Sequence, residues 1–220
     1  MAELKNDNVD LAAALFFVLG ETVPHRRALE EEAVALRDEM NDREKTLLKV
    51  IELCGEPHSP KQYYLIEKAY SWLGKKYYQE TIYYAGEYLH TSSWEELPNH
   101  IRVEDGITIN YAAVQRASVL IDLAKAQEGL GHLEAALFNF IEAYRLQPYS
   151  AMNAIKAADV IVKQHGREEA LQFLKQQRQS QYYEPVKYQD SLGHIHKNDV
   201  FKQLLDAHIL KLQENKPSGS

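Results

Sequence analysis

One cysteine, Cys54, stands in a chain of 220 residues. A single thiol cannot close an intrachain disulfide, so no covalent framework holds this fold, and such cysteine usage suits a reducing, cytoplasmic setting. Cys54 follows a helical run with no His or Asp motif around it, which makes it a small buried residue rather than a nucleophile. Long hydrophobic runs are missing as well. The most apolar stretch, 11–19, is shorter than the roughly 20 residues a membrane-spanning helix needs. Glu3, Asp7 and Asp10 precede it and no small-x-small cleavage pattern follows, so it is expected to be a buried helix, neither a span nor a secretion signal. Positive charge is in deficit: 25 Lys and Arg against 32 Asp and Glu leave a net charge of −7. That balance argues against nucleic acid or an anionic membrane as the main partner.

The signatures of catalysis are absent too. There is no P-loop, no G-x-G-x-x-G, no G-x-S-x-G and no H-E-x-x-H. Gly74-Lys75-Lys76 lacks the preceding glycine and the Ser or Thr of a phosphate loop. His194 and His196 form the one close histidine pair. Imidazoles two residues apart on an extended segment can both reach a metal, but no carboxylate or cysteine cluster beside them completes a ligand set. The expectation is a surface loop, with no catalytic residue, metal or cofactor. A metal site through His194 and His196 is the enzyme-class alternative.

What is present is enough apolar residue, 45% of the chain, to build a core, and it recurs with a helical period. Asn6, Asp7 and Asn8 can cap a first helix over 9–19. A long second helix is expected over 26–53, with Leu29, Ala33, Leu36, Met40, Leu47 and Ile51 on one apolar stripe and charged residues elsewhere. It reads as a packing helix with a solvated face, or alternatively as a short self-associating coiled coil, so a homodimer stays open. Glu30, Glu31 and Glu32 are a solvated charge run.

The centre of the chain is segment 117–150. Leu123, Ala124, Gly131, Leu133, Ala136, Phe140, Ala143 and Pro148 are its fixed points. Gly131 allows the turn between two helices. Ala124, Ala136 and Ala143 let those helices approach closely, Leu123, Leu133 and Phe140 fill the space between them, and Pro148 ends the unit. Ala170 follows Ala136 at a 34-residue step, with Ala157 and Ala158 in the matching first helix and Gly166 one residue late, so the inner turn is expected to be shifted or longer. Segment 61–89 repeats the logic through Tyr70, Leu73, Gly74 and Thr81. Its tyrosines, Tyr63, Tyr64, Tyr77, Tyr78, Tyr83 and Tyr84, are either mainly structural or an aromatic ligand surface. Between these segments lies an insertion, 91–110, whose branched residues alternate around Asp105-Gly106 as in a small β-hairpin, with Trp94 and Pro98 as possible anchors. The hairpin either covers apolar surface or flanks a ligand groove with Trp94, Ile101 or Arg102. Residues 182–193 read as a loop, Asn198 can cap a last helix over 199–213 with Phe201, Leu204, Leu205, His208 and Leu212 on its apolar stripe, and 214–220 as a disordered tail.

The spacing in 117–150 resembles a tetratricopeptide repeat (TPR), a helix–turn–helix unit of about 34 residues. The resemblance implies an all-α fold, a TPR-like α-solenoid of antiparallel helix pairs with a small β-hairpin insertion. It also implies a division into N-terminal helices packing on the repeats (1–55), repeats (56–182), and a C-terminal loop, capping helix and tail (183–220). In that family the first helices line a concave groove. Carried onto this chain, the groove residues are Tyr64, Lys68 and Trp72, then Ile121 and Lys125, then Met152, Lys156 and Lys163, with Asp122, Glu128 and Asp159 among them. The asparagines of the family's carboxylate clamp are missing, so binding of chaperone C-termini is not implied. The implied function is a non-catalytic scaffold that binds a protein or peptide segment, amphipathic or partly acidic. The alternative by analogy is a bacterial-type regulator with a TPR sensor and an N-terminal helical effector arm.

Overall fold

The structure, a computed structural model, describes residues 2–20, 25–92, 101–104, 107–180, 186–189, 195–198 and 200–214. Helix dominates it. The chain divides into two compact units, Met1–Ser93 and Trp94–Ser220. The boundary falls inside the 56–182 segment, so the first helix pair groups with the N-terminal helices and not with the later pairs.

Unit 1 contains α1 (Ala2–Val18), α2 (Glu30–Met40), α3 (Arg43–Cys54), α4 (Pro60–Leu73) and α5 (Tyr78–Thr91), with 3-10 turns at Arg27–Leu29 and Lys75–Tyr77. Ala12, Ala13, Ala14, Leu15 and Phe16 are all at most 1% exposed. Five consecutive buried residues require neighbours all round, and α1 touches α2, α3 and α4. The helix starts at Ala2, earlier than the Asn6–Asn8 caps would place it. The acidic side chains tie down other segments instead: Asp7 accepts from Arg26 at 2.9 Å, and Asp10 pairs with Arg26 at 2.8 Å and with Lys61.

The expected long helix over 26–53 is two helices. Asn41 takes a left-handed backbone, φ 45°, and ends α2. Asp42 then caps α3, its carboxylate accepting from the amides of Glu44 at 2.8 Å and Lys45 at 3.2 Å. Asn tolerates that conformation better than most residues, and Asp is among the best N-caps. The break removes the coiled-coil reading of this segment, since neither piece exceeds 12 residues. Glu31 and Glu32 are exposed on the first turn of α2, where the helix dipole favours negative charge.

Unit 2 begins with β1 (Ile101–Glu104) and β2 (Ile107–Asn110), paired antiparallel with Ile101 opposite Asn110 and Glu104 opposite Ile107. Then come α6 (Tyr111–Gly129), α7 (Leu133–Leu146), α8 (Ala151–Gln164), α9 (Arg167–Arg178), β3 (Val186–Gln189), β4 (Ile195–Asn198) and α10 (Val200–Glu214). Asn110 ends β2 and caps α6, accepting from the Ala112 amide at 3.0 Å. At the α6–α7 turn Gly131 has φ 83°. The His132 amide reaches back to the Gln127 carbonyl at 2.8 Å and the Gly131 amide to that of Glu128 at 3.0 Å, a Schellman ending that needs the left-handed glycine. At the next turn α8 runs one residue further and Gly166, φ 93°, turns the chain, so the turn is shifted by one residue and the link is shorter, not longer.

Ala124, Ala136, Ala143, Ala157, Ala158 and Ala170 are all fully buried. One core cluster joins Ala124, Ala136 and Phe140 to Ala157 and Val160; another joins Ala154, Ala158, Ala170 and Leu174 to Leu205 and Ile209 of α10. Thus α7 packs on α8, α8 on α9, and α10 on both α8 and α9. Where a loop was expected over 182–193, β3 pairs antiparallel with β4, Tyr188 opposite His196. In β3, Val186 and Tyr188 alternate with Lys187 and Gln189, a period that fits a strand; β4 has only Ile195 as a branched residue. Trp94, Pro98, Asp105, Gly106, His194 and the tail 215–220 lie outside the described residues.

Candidate functional site

The first helices of unit 2 carry a line of charged and apolar side chains that join one helix to the next. On α6, Lys125 pairs with Asp122 at 3.0 Å. From α8, Lys163 reaches across to Glu128 of α6. Asp159 of α8 lies 3.1 Å from Nε2 of His208 on α10; the contact is close, though its angle is poor for a hydrogen bond, as His208 Nε2 lacks one. These links skip the second helices, α7 and α9, so Glu128, Lys163, Asp159 and His208 fall on one side of the α6, α8 and α10 line.

Between the charges sit Ile121, half-buried, and Met152, 47% exposed. Lys156 is half-buried, with no ion-pair partner among the described residues. Lys125 and Lys163 are committed to carboxylates, so this face is less basic than its lysine count suggests. Both pairs are solvent-exposed on the lysine side, at 47% and 53%, where an ion pair is worth about 0–1 kcal/mol. An incoming carboxylate can therefore compete with Glu128 for Lys163 at little cost, whereas Asp122 is buried. Other polar contacts brace the helices from behind: Asn139 of α7 donates to Gln127 of α6 at 2.8 Å, and Arg178 of α9 pairs with Asp206 of α10.

The residues expected to extend this line in unit 1 are placed differently. Tyr64 is 8% exposed and Lys68 4%. Tyr64 packs on Tyr88 with ring centroids 5.6 Å apart, and the Lys68 Nζ is 3.7 Å from Glu67 and 5.5 Å from the Tyr64 ring. Six consecutive residues of α4, from Tyr64 to Ala69, are buried, because α4 is packed by α1 and α3 as well as α5. Tyr64 and Lys68 are thus interior residues and not an open groove wall. Trp72 is 44% exposed, with the Arg43 guanidinium 4.1 Å over its ring.

The remaining candidates carry no assembled chemistry. Cys54 is buried, and burial pushes its thiol up to about 12, with Lys61 pulling slightly the other way. His196 lies on β4. No cluster of three His, Cys, Asp or Glu side chains stands ready for a metal among the described residues. No helix among them is long and apolar enough to cross a membrane. Missed at the sequence level were His208, assigned to an apolar stripe, and the Asn139–Gln127 bond; each depends on helix packing that spacing alone does not specify. No family model matches the chain, and no curated protein sequence matches it significantly.

Proposed function

We propose that unit 2 is a TPR-type α-solenoid, two helix pairs closed by α10 as a capping helix, and that the protein is a non-catalytic scaffold. Its ligand is a peptide segment lying along the α6–α8–α10 face. The observation that carries this reading is the pair of links Lys163–Glu128 and His208–Asp159, which align the first-helix positions of successive units. Ile121 and Met152 offer apolar contacts, and Lys156 offers a cation free to meet an acidic side chain, so the peptide is amphipathic with acidic residues. The packing of α1 and α3 on α4 favours a structural role for the N-terminal helices over that of a detached effector arm.

Selection of random 12-residue peptides displayed against the whole chain tests the proposal. Enriched sequences are expected to combine apolar with Asp or Glu residues and to lose binding to Lys156→Glu and Met152→Ser variants. Failure to enrich, or binding indifferent to both substitutions, rejects it.

A further inference from the structure

The tyrosines of unit 1 form a second surface that the groove leaves unused. Tyr63 and Tyr70 lie on α4; Tyr77 follows in the adjoining turn and Tyr84 on α5. A step of seven residues is close to two helical turns, so Tyr63 and Tyr70 share a face of α4. The rings meet across the α4–α5 seam: Tyr70 stacks on Tyr84 at 5.5 Å and 18°, Tyr70 lies 5.5 Å from Tyr77, and Tyr63 is 6.5 Å from Tyr84. Tyr83 stands edge-on to Tyr84 at 5.0 Å and is 58% exposed. The others are half-buried. The core between these helices already has its aromatics in Tyr64 and Tyr88, so the outer set is not needed to fill it.

This surface favours positive charge. Aromatic faces carry negative potential, and Glu80 acts on both the Tyr70 and Tyr84 hydroxyls. Burial first, then neighbouring tyrosines and Glu80, raises the pKa of both phenols. The chain shows the same chemistry within itself: the Lys76 ammonium lies 5.0 Å over the Tyr77 ring.

We propose that the tyrosine patch along the α4–α5 seam docks a peptide segment carrying arginine, whose guanidinium stacks on the Tyr84 and Tyr70 side of the patch and pairs with Glu80. Arginine fits better than lysine because its planar, weakly hydrated group stacks on rings while keeping its charge. Exposed Lys75 and Lys76 at the other end repel a second cation, which orients the segment. None of these residues belongs to the α6–α8–α10 face.

The test titrates the full chain, carrying 13C-labelled tyrosine rings, with a Gly-Arg-Gly-Arg-Gly peptide, its citrulline counterpart and hexaproline, following the ring signals by NMR. Saturable shifts of the Tyr70 and Tyr84 rings are expected with the arginine peptide, with citrulline binding at least about 5-fold weaker. Glu80→Gln is expected to weaken arginine binding by about 3-fold, and Tyr84→Leu by about 5-fold. Should Tyr84→Leu fail to fold by circular dichroism, Glu80→Gln and the citrulline comparison decide alone. Equal binding of citrulline, tighter binding of hexaproline at the same rings, or no ring shift overturns the proposal.

Discussion

Ala136 sits fully buried against Ala124, Phe140, Ala157 and Val160. A leucine there has no cavity to enter, so Ala136→Leu is expected to cost about 1–3 kcal/mol by overpacking, read as a lowered Tm; an unchanged Tm refutes the packing described. Cys54 makes a different residue-scale prediction. Its thiol titrates near 12 in the folded chain against 9.0 for the free group, chiefly through burial. The folded state therefore holds this proton more tightly than the unfolded state. The stability this contributes is complete below pH 9 and is lost as pH rises through 12. Wild type should lose stability faster than Cys54→Ala over that window; parallel curves contradict it. Small residues such as Ala136 were legible in the sequence because close helix approach is a local steric demand. Tyr64 and Lys68 were misjudged because their burial depends on how α1 and α3 pack on α4, which the spacing within α4 does not specify.

At the scale of elements, the α2–α3 break shows how periodicity misleads. The apolar stripe runs from Leu36 and Met40 to Leu47 and Ile51 without losing phase, so period alone joins what Asn41 and Asp42 divide. The signal was present in the residue types, a left-handed-tolerant Asn before a capping Asp. Asp42→Ala removes the acceptor of two amides and is expected to cost about 1 kcal/mol, measured by urea denaturation; no change would mean α3 starts elsewhere. Likewise β3 carried a short alternating pattern, Val186 and Tyr188 between polar residues, whereas β4, with Ile195 as its one branched residue, carried none. Helix α10 packs on α8 and α9 through Leu205 and Ile209, the first fully buried. Leu205→Ala is expected to cost about 2–5 kcal/mol and to speed amide exchange in α8 and α9; equal protection in the variant contradicts the capping role.

At the scale of the molecule, two cores lie in one chain, Met1–Ser93 and Trp94–Ser220. The helical class and the helix pairs of unit 2 were legible because Gly131 and Pro148 bound the helices and Ala124 and Ala136 are repeated 34 residues on by Ala158 and Ala170. The division into units was not, since it depends on which helices enclose α1 and α4. The central functional claim is that the α6–α8–α10 face of the second unit holds a peptide, and the most direct measurement follows methyl and backbone NMR signals of the intact chain on addition of a selected amphipathic acidic 12-mer. Saturable shifts are expected at Met152, Ile121 and Lys156, with Phe138, exposed on α7, unmoved. Shifts centred on Phe138 or on the unit 1 tyrosines, with Met152 still, contradict it.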